Sequence, residues 1–402
     1  MVNVGVDWGF EHCQIYAVAK DGGVLLDQRV ATEPAELRSV VASLVAAAPE
    51  ASAVHVGIEK ATGRVVEHLL GAGLTVYNVN PGKVDAGRKL VSMSGAKDDR
   101  RDARVLAKLV GSFRDELVPL VPTDAVRRRL RHLGRQRHAL VKDRTRLTNR
   151  LSAAFREHFP AMLDLGKLDT QWQILLAQLI PTPAAVGRVG RVELEAALKG
   201  TRRTVESVRA TLGSEAPVAA DGVYEALEFE VPMWAAQLLL VQRQIAQVER
   251  QSSSLLDELR TSCSDGPSDV EIVASLPTIG KRTATTLFGE GLIDLLQSNL
   301  QAARCVAGVA PVTEATGKRQ TARRPTVKMR RACNHFIRDA LHNAVMAGVG
   351  NHQETRVRYR HRRERGMTEG AACRAEGDRI LRILHAMLRD RTLYRNPVPP
   401  PE

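Results

Sequence analysis

Apolar and β-branched positions at the start of the chain come in short runs: Val2-Asn3-Val4-Gly5-Val6-Asp7-Trp8-Gly9, then Cys13-Gln14-Ile15-Tyr16-Ala17-Val18-Ala19, then Val24-Leu25-Leu26-Asp27-Gln28-Arg29-Val30. Glycine turns such as Asp21-Gly22-Gly23 separate them, a pattern that predicts three consecutive antiparallel strands. A helical stretch from Pro34 to Ala48 follows, then a fourth strand, Ala53-Val54-His55-Val56-Gly57-Ile58-Glu59. A helix near Val65–Leu70 leads to a fifth strand, Leu74–Val79, ended by Asn80-Pro81. Strands joined by helices imply a mixed sheet with helices packed on it, an α/β domain.

From Ala125 the period changes. Val126, Leu130, Leu133, Leu140, Leu147, Leu151 and Ala154 recur at three-four spacing, with arginines and lysines covering the other faces, so a long amphipathic helix with a basic exterior is expected. Trp234, Leu238, Val241, Ile245, Val248, Leu255 and Leu259 repeat the pattern with only Ser252 out of place, and heptads of this length predict a coiled coil, within one chain or between two. Pro181–Pro183, Gly187–Arg191 and Pro217–Gly222 break up the insertion between them, whose role the pattern does not disclose, and Ser262–Ser268 has a linker's composition. Then Ile272-Val273-Ala274-Ser275-Leu276-Pro277-Thr278-Ile279-Gly280-Lys281-Arg282-Thr283-Ala284 resembles a helix-hairpin-helix, whose backbone N–H groups suit a phosphate. Further helices are expected from Val327 to Ala347 and from Gly370 to Arg391, with an extended Pro397–Pro401 tail. The expected division is an α/β domain at 1–118, a coiled-coil region with its insertion at 119–265, and an all-α C-terminal domain at 266–396.

Charge adds a partner class. Among 402 residues, 58 Lys and Arg outnumber 45 Asp and Glu, a net +13 that points to nucleic acid or an anionic surface. No apolar run approaches the roughly 18 residues of a spanning helix, and Met1 leads into a strand rather than a signal peptide, so a cytoplasmic protein without membrane contact is expected. Aromatic residues are only 4%, too few for extended stacking platforms, which makes backbone charge contacts the expected mode. The five cysteines are odd in number and form no CxxC pair, so buried thiols are expected rather than disulfides or zinc. The eleven histidines show no ligand spacing.

Four carboxylates stand out. Asp7 interrupts an apolar strand and Glu59 ends another, where an unpaired carboxylate costs several kcal/mol to bury. Asp99 and Asp102 lie three apart in Lys97-Asp98-Asp99-Arg100-Arg101-Asp102-Ala103-Arg104, on one helical face. Such a set can hold two Mg²⁺ ions about 3.5–4 Å apart around a phosphodiester. Taken singly, each also has an ordinary role: Asp7 capping a turn, Glu59 pairing with an arginine, Asp99 and Asp102 offsetting a helix dipole.

The ordered segments Val4-Gly5-Val6-Asp7, Gly57-Ile58-Glu59 and Lys97-Asp98-Asp99-Arg100-Arg101-Asp102-Ala103 fit a RuvC-like, ribonuclease-H-type fold. They resemble the Asp-Glu-Asp-Asp set of the transposases of insertion-sequence family 110, which are RNA-guided recombinases. Asn80-Pro81, Leu276-Pro277-Thr278-Ile279-Gly280, Val306-Ala307-Gly308-Val309-Ala310-Pro311-Val312-Thr313 and Met329-Arg330-Arg331-Ala332-Cys333-Asn334 are similar to further family motifs, so the resemblance covers nearly the whole chain. It implies that Asp7, Glu59, Asp99 and Asp102 bind Mg²⁺ and that a serine of a C-terminal loop attacks DNA to form a covalent protein–DNA intermediate. In the matching stretch, Glu314-Ala315-Thr316-Gly317-Lys318-Arg319-Gln320, Thr316 stands where the family has serine, and no serine follows Ser298. A threonine hydroxyl can attack, although its methyl restricts the rotamer.

Positive charge concentrates around this loop. Lys318, Arg319, Arg323, Arg324, Lys328, Arg330 and Arg331 are followed by Arg338 and by Arg356, Arg358, Arg360, Arg362, Arg363 and Arg365, a one-sign excess expected to meet nucleic acid. Arg356-Val357-Arg358-Tyr359-Arg360 alternates as a strand or arm does. The resemblance further implies donor and target double-stranded DNA, a guide RNA, and a dimer or tetramer in which one subunit's carboxylates meet another's C-terminal domain. The rival readings are a pilin-type DNA invertase, a nucleic-acid-binding relative with an impaired nucleophile, and a nuclease using carboxylates and water alone.

Overall fold

The computed structural model describes residues 1–91, 98–120, 124–214, 217–261, 266–314 and 326–395. Its contacts divide the chain into two compact units, 1–124 with 330–333, and 125–329 with 334–402.

The first unit is built on a five-stranded mixed sheet. β1 (Val2–Trp8), β2 (His12–Ala19) and β3 (Val24–Ala31) form an antiparallel meander; β4 (Val54–Ile58) and β5 (Thr75–Asn78) run parallel to β1, giving the order β3-β2-β1-β4-β5. Alternation separates two faces. Val2, Val4, Val6, Val54, Val56 and Ile58 form one core with Leu37, Val40, Val41 and Leu44 of α1 (Pro34–Ala46) and Val65, Val66 and Leu69 of α2 (Arg64–Gly71). The opposite face carries Gly5 and Gly57, and α4 (Asp99–Phe113), which follows α3 (Pro81–Val91), lies directly on them. A Cβ on Gly5 would sit 1.8 Å from the Ala103 carbonyl oxygen; one on Gly57 would sit 2.6 Å from Val110 Cγ2.

In the second unit α5 (Ala125–His158) and α10 (Val223–Thr261) are the long helices. They pair within one chain and antiparallel: Arg137 Nε meets Glu249 Oε1 at 2.7 Å, while Arg150, further along α5, stands 5.2 Å over the Trp234 ring, earlier on α10. Ser252 fits inside the seam because its hydroxyl donates to the Val248 carbonyl at 2.8 Å. The insertion folds as α6 (Ala161–Asp164), α7 (Gln171–Leu179), α8 (Arg191–Ala197) and α9 (Val205–Leu212), which share a core with Leu151 and Phe155 of α5 and Leu227 and Val231 of α10. At the other end Leu130, Leu255 and Leu256 enter the core of the C-terminal helices.

Those helices are α11 (Asp269–Ser275), α12 (Lys281–Gly289), α13 (Leu292–Ser298), α14 (Leu300–Val306), α15 (His335–Asn351), α16 (Gln353–Glu364) and α17 (Glu369–Asp390), with a hairpin of β6 (Val312–Glu314) and β7 (Thr326–Lys328). Two expectations are corrected. The helix expected from Val327 starts at His335, because Thr326–Lys328 pairs as a strand and Asn334 Oδ1 accepts from the Phe336 amide at 2.9 Å, setting the helix start. The alternating Arg356–Arg360 stretch is helical: Arg358 and Arg362, four apart, both reach the buried Glu376 of α17.

Among the described cysteines none is bonded; Cys13 and Cys373 are buried, whereas Cys305 and Cys333 are only half-buried, because they lie at an element end and in a connection rather than in a core. Cys263 lies outside the described residues. No described helix is long and apolar enough to cross a membrane.

Two predictions follow from this packing. Gly5→Val should cost about 3 kcal/mol or more, read as a lower midpoint in denaturant unfolding, because backbone rather than a movable side chain fills the space. Burial pushes the Cys13 thiol up from 9.0 to about 11, so the folded state retains a proton that the unfolded chain releases first. That contribution is complete below pH 9 and lost as pH rises towards 11. The stability gap between the wild type and Cys13→Ala should therefore narrow by roughly 2 kcal/mol across that window, and a gap independent of pH would contradict it.

Candidate active site

Asp7 is the last but one residue of β1, and Glu59 follows the last residue of β4. Because Val6 pairs with Ile58 in parallel register, the next residues, Asp7 and Glu59, lie side by side on strands about 4.8 Å apart. They share the alternation of Gly5 and Gly57, so both belong to the face that α4 covers.

α4 runs antiparallel to β1: Ala103 and Ala107 lie over Gly5, and Gly111 lies over Asn3. Its first turn therefore points towards the strand ends that carry the two carboxylates. Asp99 precedes Ala103 by one turn, a rise of about 6 Å, which matches the two-residue step of about 6.6 Å from Gly5 to Asp7. Asp102 stands in the same relation to Leu106, which lies over Gly57, and so to Glu59. The fold thus gathers all four sequence-picked acids at one corner, two on strand ends and two on a helix start. Asp99 is exposed, Asp7 and Glu59 are half-buried, and Asp102 is 5% exposed.

Local capping explains where the helix begins. Asp98 Oδ1 accepts from the Arg101 amide at 2.9 Å, so Asp98 is the cap and Asp99 and Asp102 fall on the first turn behind it. Arg100 Nε reaches Asp27 Oδ2 of β3 at 2.7 Å, and Gln14, the register partner of Asp7, donates to Asp27 Oδ1 at 3.0 Å. Asp27 thus ties the helix start to the sheet.

Arg88 of α3 holds Asp102. Its Nε meets Asp102 Oδ1 at 2.5 Å, and Nη1 meets Asp85 at 2.5 Å. Burial opposes the Arg88 charge, but the hydrogen bond and charge of Asp102, with Asp85 behind, outweigh it and hold its pKa above the ordinary arginine value. Sequence reasoning missed Arg88, Asp27 and Arg100, because each acts through tertiary contact with no fixed spacing from its partner.

An all-oxygen donor set of this kind suits a hard divalent cation such as Mg²⁺ in its chemistry. Among the described residues no three His, Cys, Asp or Glu side chains are drawn together tightly enough to surround an ion. Thr316, Lys318, Arg319, Arg323 and Arg324 lie outside the described residues. Lys328 and Arg331 are exposed; Arg330 is half-buried, its Nε buried without a hydrogen-bond partner among the described residues. Part of the later basic run turns inward: Arg356 donates to the Val349 carbonyl at 2.8 Å, and Arg358 to Glu354 at 3.0 Å. Arg360 and Arg365 stay exposed.

Arg88→Ala should destabilise the first unit by about 3–5 kcal/mol by leaving the buried Asp102 carboxylate unpaired, and adding Asp102→Asn should recover most of the loss in denaturant unfolding. Equal stability of the single and double variants would show that the unpaired Asp102 carboxylate is not the source of the loss.

Comparison with known proteins gives this corner a family. The model of the DEDD transposases of IS110 elements matches residues 4–160, which contain all four carboxylates, and the model of the transposase IS116/IS110/IS902 family matches residues 270–362. The mini-circle transposase for IS117 of Streptomyces coelicolor is 27% identical over 96% of this chain and 94% of its own length. A protein of insertion element IS116 of Streptomyces clavuligerus is 28% identical over 99% of this chain and 96% of its own. A transposase of Sinorhizobium fredii is 34% identical over 49% of this chain, a match that spans about half, 56%, of that relative. The chain belongs to the IS110 family of transposases.

Proposed function

We propose that the chain is a site-specific DNA recombinase that moves an insertion sequence by cutting and rejoining DNA strands. The observation that carries this is the corner itself, with Asp7 and Glu59 adjacent on parallel strands beneath the first turn of α4. The strand order supports a RuvC-like reading of the first unit. Asp7, Glu59, Asp99 and Asp102 would hold Mg²⁺, which when bound supplies positive charge to the phosphodiester oxygens.

Thr316 is the nucleophile of this reading. Its Oγ1 forms a bond to phosphorus while the bond to the leaving strand's oxygen breaks, and the proton given up at Oγ1 is balanced by one taken up at that oxygen. Lys318 and Arg319 hold the reacting phosphate; Arg323, Arg324, Lys328, Arg330 and Arg331 hold flanking backbone of donor and target DNA. A guide RNA supplies the sequence choice on the same basic surface. The paired α5 and α10 assemble a dimer or tetramer, and the chain works as three parts, 1–118, 119–265 and 266–396. One observation favours a second reading: threonine in the serine position, which suits a relative that binds nucleic acid with a crowded nucleophile.

A denaturing-gel assay for covalent protein–DNA adducts, with Mg²⁺, the element's DNA and its flanking RNA, separates them. The first reading expects an adduct with the wild type and with Thr316→Ser, and none with Thr316→Ala. An adduct only with Thr316→Ser establishes the second, and cleavage without any adduct establishes a nuclease that uses water. Asp7→Ala should lower strand transfer by about 10³-fold with DNA binding retained. Undiminished recombination in that variant sinks the metal assignment.

A further inference from the structure

Phe10 is the most exposed aromatic ring among the described residues, 86% accessible, in a chain with only 4% aromatic residues. It sits in the turn between β1 and β2, three residues beyond Asp7 and so within about 10 Å of it along the chain. A lone exposed ring on a loose loop carries no meaning. This one is held. The Phe10 carbonyl accepts from Thr32 Oγ1 at 2.8 Å and from Arg64 Nη2 at 2.7 Å, and Thr32 is itself buried. The turn is closed on both sides, by the Gly9 amide on the His12 carbonyl and the Thr32 amide on the Glu11 carbonyl, each at 2.8 Å.

Cations accompany the rings at this edge. The Arg64 guanidinium lies 5.8 Å from the Phe10 ring, and Lys60 Nζ lies 4.8 Å from the ring of Trp8. Lys60 follows Glu59 directly, so both carboxylate-bearing strand ends continue into an aromatic–cation pair. A solvent-facing ring on an anchored backbone turn, beside positive charge, is what an unstacked nucleobase and its phosphate require, and anchoring the turn in advance lowers the ordering cost of binding.

We propose that Phe10 is a stacking platform for a DNA base unpaired beside the cut, with Arg64 and Lys60 on the adjoining phosphates. Exchanging strands obliges the bases flanking the cleaved phosphate to leave their partners, which exposes the π faces that such a ring takes up. The proposal rests on the reading of the carboxylate corner as the place of cleavage, and it adds a positioning residue to that site.

The test is affinity of the full-length protein, in EDTA, for a duplex and for the same duplex carrying a short unpaired bubble. The wild type should prefer the bubble. Phe10→Ala should lose about five- to a hundred-fold on the bubble with duplex binding unchanged, Phe10→Trp should keep the preference, and Phe10→Leu should fall with Phe10→Ala, since stacking and not mere apolarity is at work. No bubble preference in the wild type, or a preference that Phe10→Leu retains, overturns the proposal. So does a loss confined to single-stranded RNA, which would make RNA the occupant, or a change only in sedimentation, which would make Phe10 a protein contact. Because no metal is present, these results stand apart from the Asp7→Ala experiment, whose failure would remove the cleavage reading and leave the binding readout intact.

Discussion

Everything at the carboxylate corner depends on how closely α4 approaches the sheet. The helix backbone occupies the space that Cβ atoms on Gly5 and Gly57 would need, with the Ala103 carbonyl and the Leu106 and Val110 turn resting on the strands. That contact fixes height, because nothing larger than hydrogen fits beneath the helix. It also fixes register along the strands, because Ala103 and Leu106 can each lie over only one glycine. Register then decides which helix residues overhang the strand ends: one turn back from these two contacts come Asp99 and Asp102, and two residues on from the glycines come Asp7 and Glu59. A glycine in a central strand ordinarily weakens it. Here it is the means by which acids of three separate segments, β1, β4 and α4, come to one corner.

Bringing like charges together has an electrostatic cost, and the surroundings show how it is met. Asp102, the most buried of the four, is paired with Arg88, whose own charge is anchored on Asp85. The first turn of α4 provides backbone N–H groups and a partial positive charge that favour acids there. Arg100 spans from the acidic motif to Asp27, so the helix start is tied down by a cation that itself does not neutralise the four acids. A cation bound among them would therefore meet a framework already rigid on the Asp102 side.

The strands themselves were legible because a sheet covered on both faces leaves short, continuous β-branched runs, whereas the order β3-β2-β1-β4-β5 had no local signature. The four acids were picked out by their order along the chain and not by local rules, since each taken singly has an ordinary role; the fold puts Asp7 and Glu59 on adjacent strand ends and Asp99 and Asp102 on a helix start. What else stayed hidden also lacks a local signature. Arg88 and Asp27 look like ordinary surface charges until α3 and β3 are packed. The Arg356–Arg360 stretch was misread for the opposite reason: its alternation is a real period of two, yet Glu376 of α17 rewards a period of four, since Arg358 and Arg362 reach it together only from a helix. Thr326-Val327-Lys328 carries strand-forming residues, but its partner Val312-Thr313-Glu314 lies far back in the sequence, so no local pattern announced the hairpin.

Under the proposed function, in which Thr316 is the nucleophile, the threonine there poses a question of shape more than of electronics. Serine and threonine carry the same hydroxyl, so charge supplied by the carboxylate corner would assist either to a similar degree. The added methyl stiffens χ1 and occupies one of the approaches to Oγ1, and in-line displacement tolerates little misplacement of the attacking oxygen. The consequence is specific: changing Thr316 to serine should alter the rate of attack without altering its dependence on metal or on Asp7, whereas changing Asp7 should impair both hydroxyls alike. A shared dependence on Asp7 with different maximal rates is the pattern of a steric difference at the nucleophile. A difference in metal dependence between the two hydroxyls would instead place the effect in the carboxylate corner.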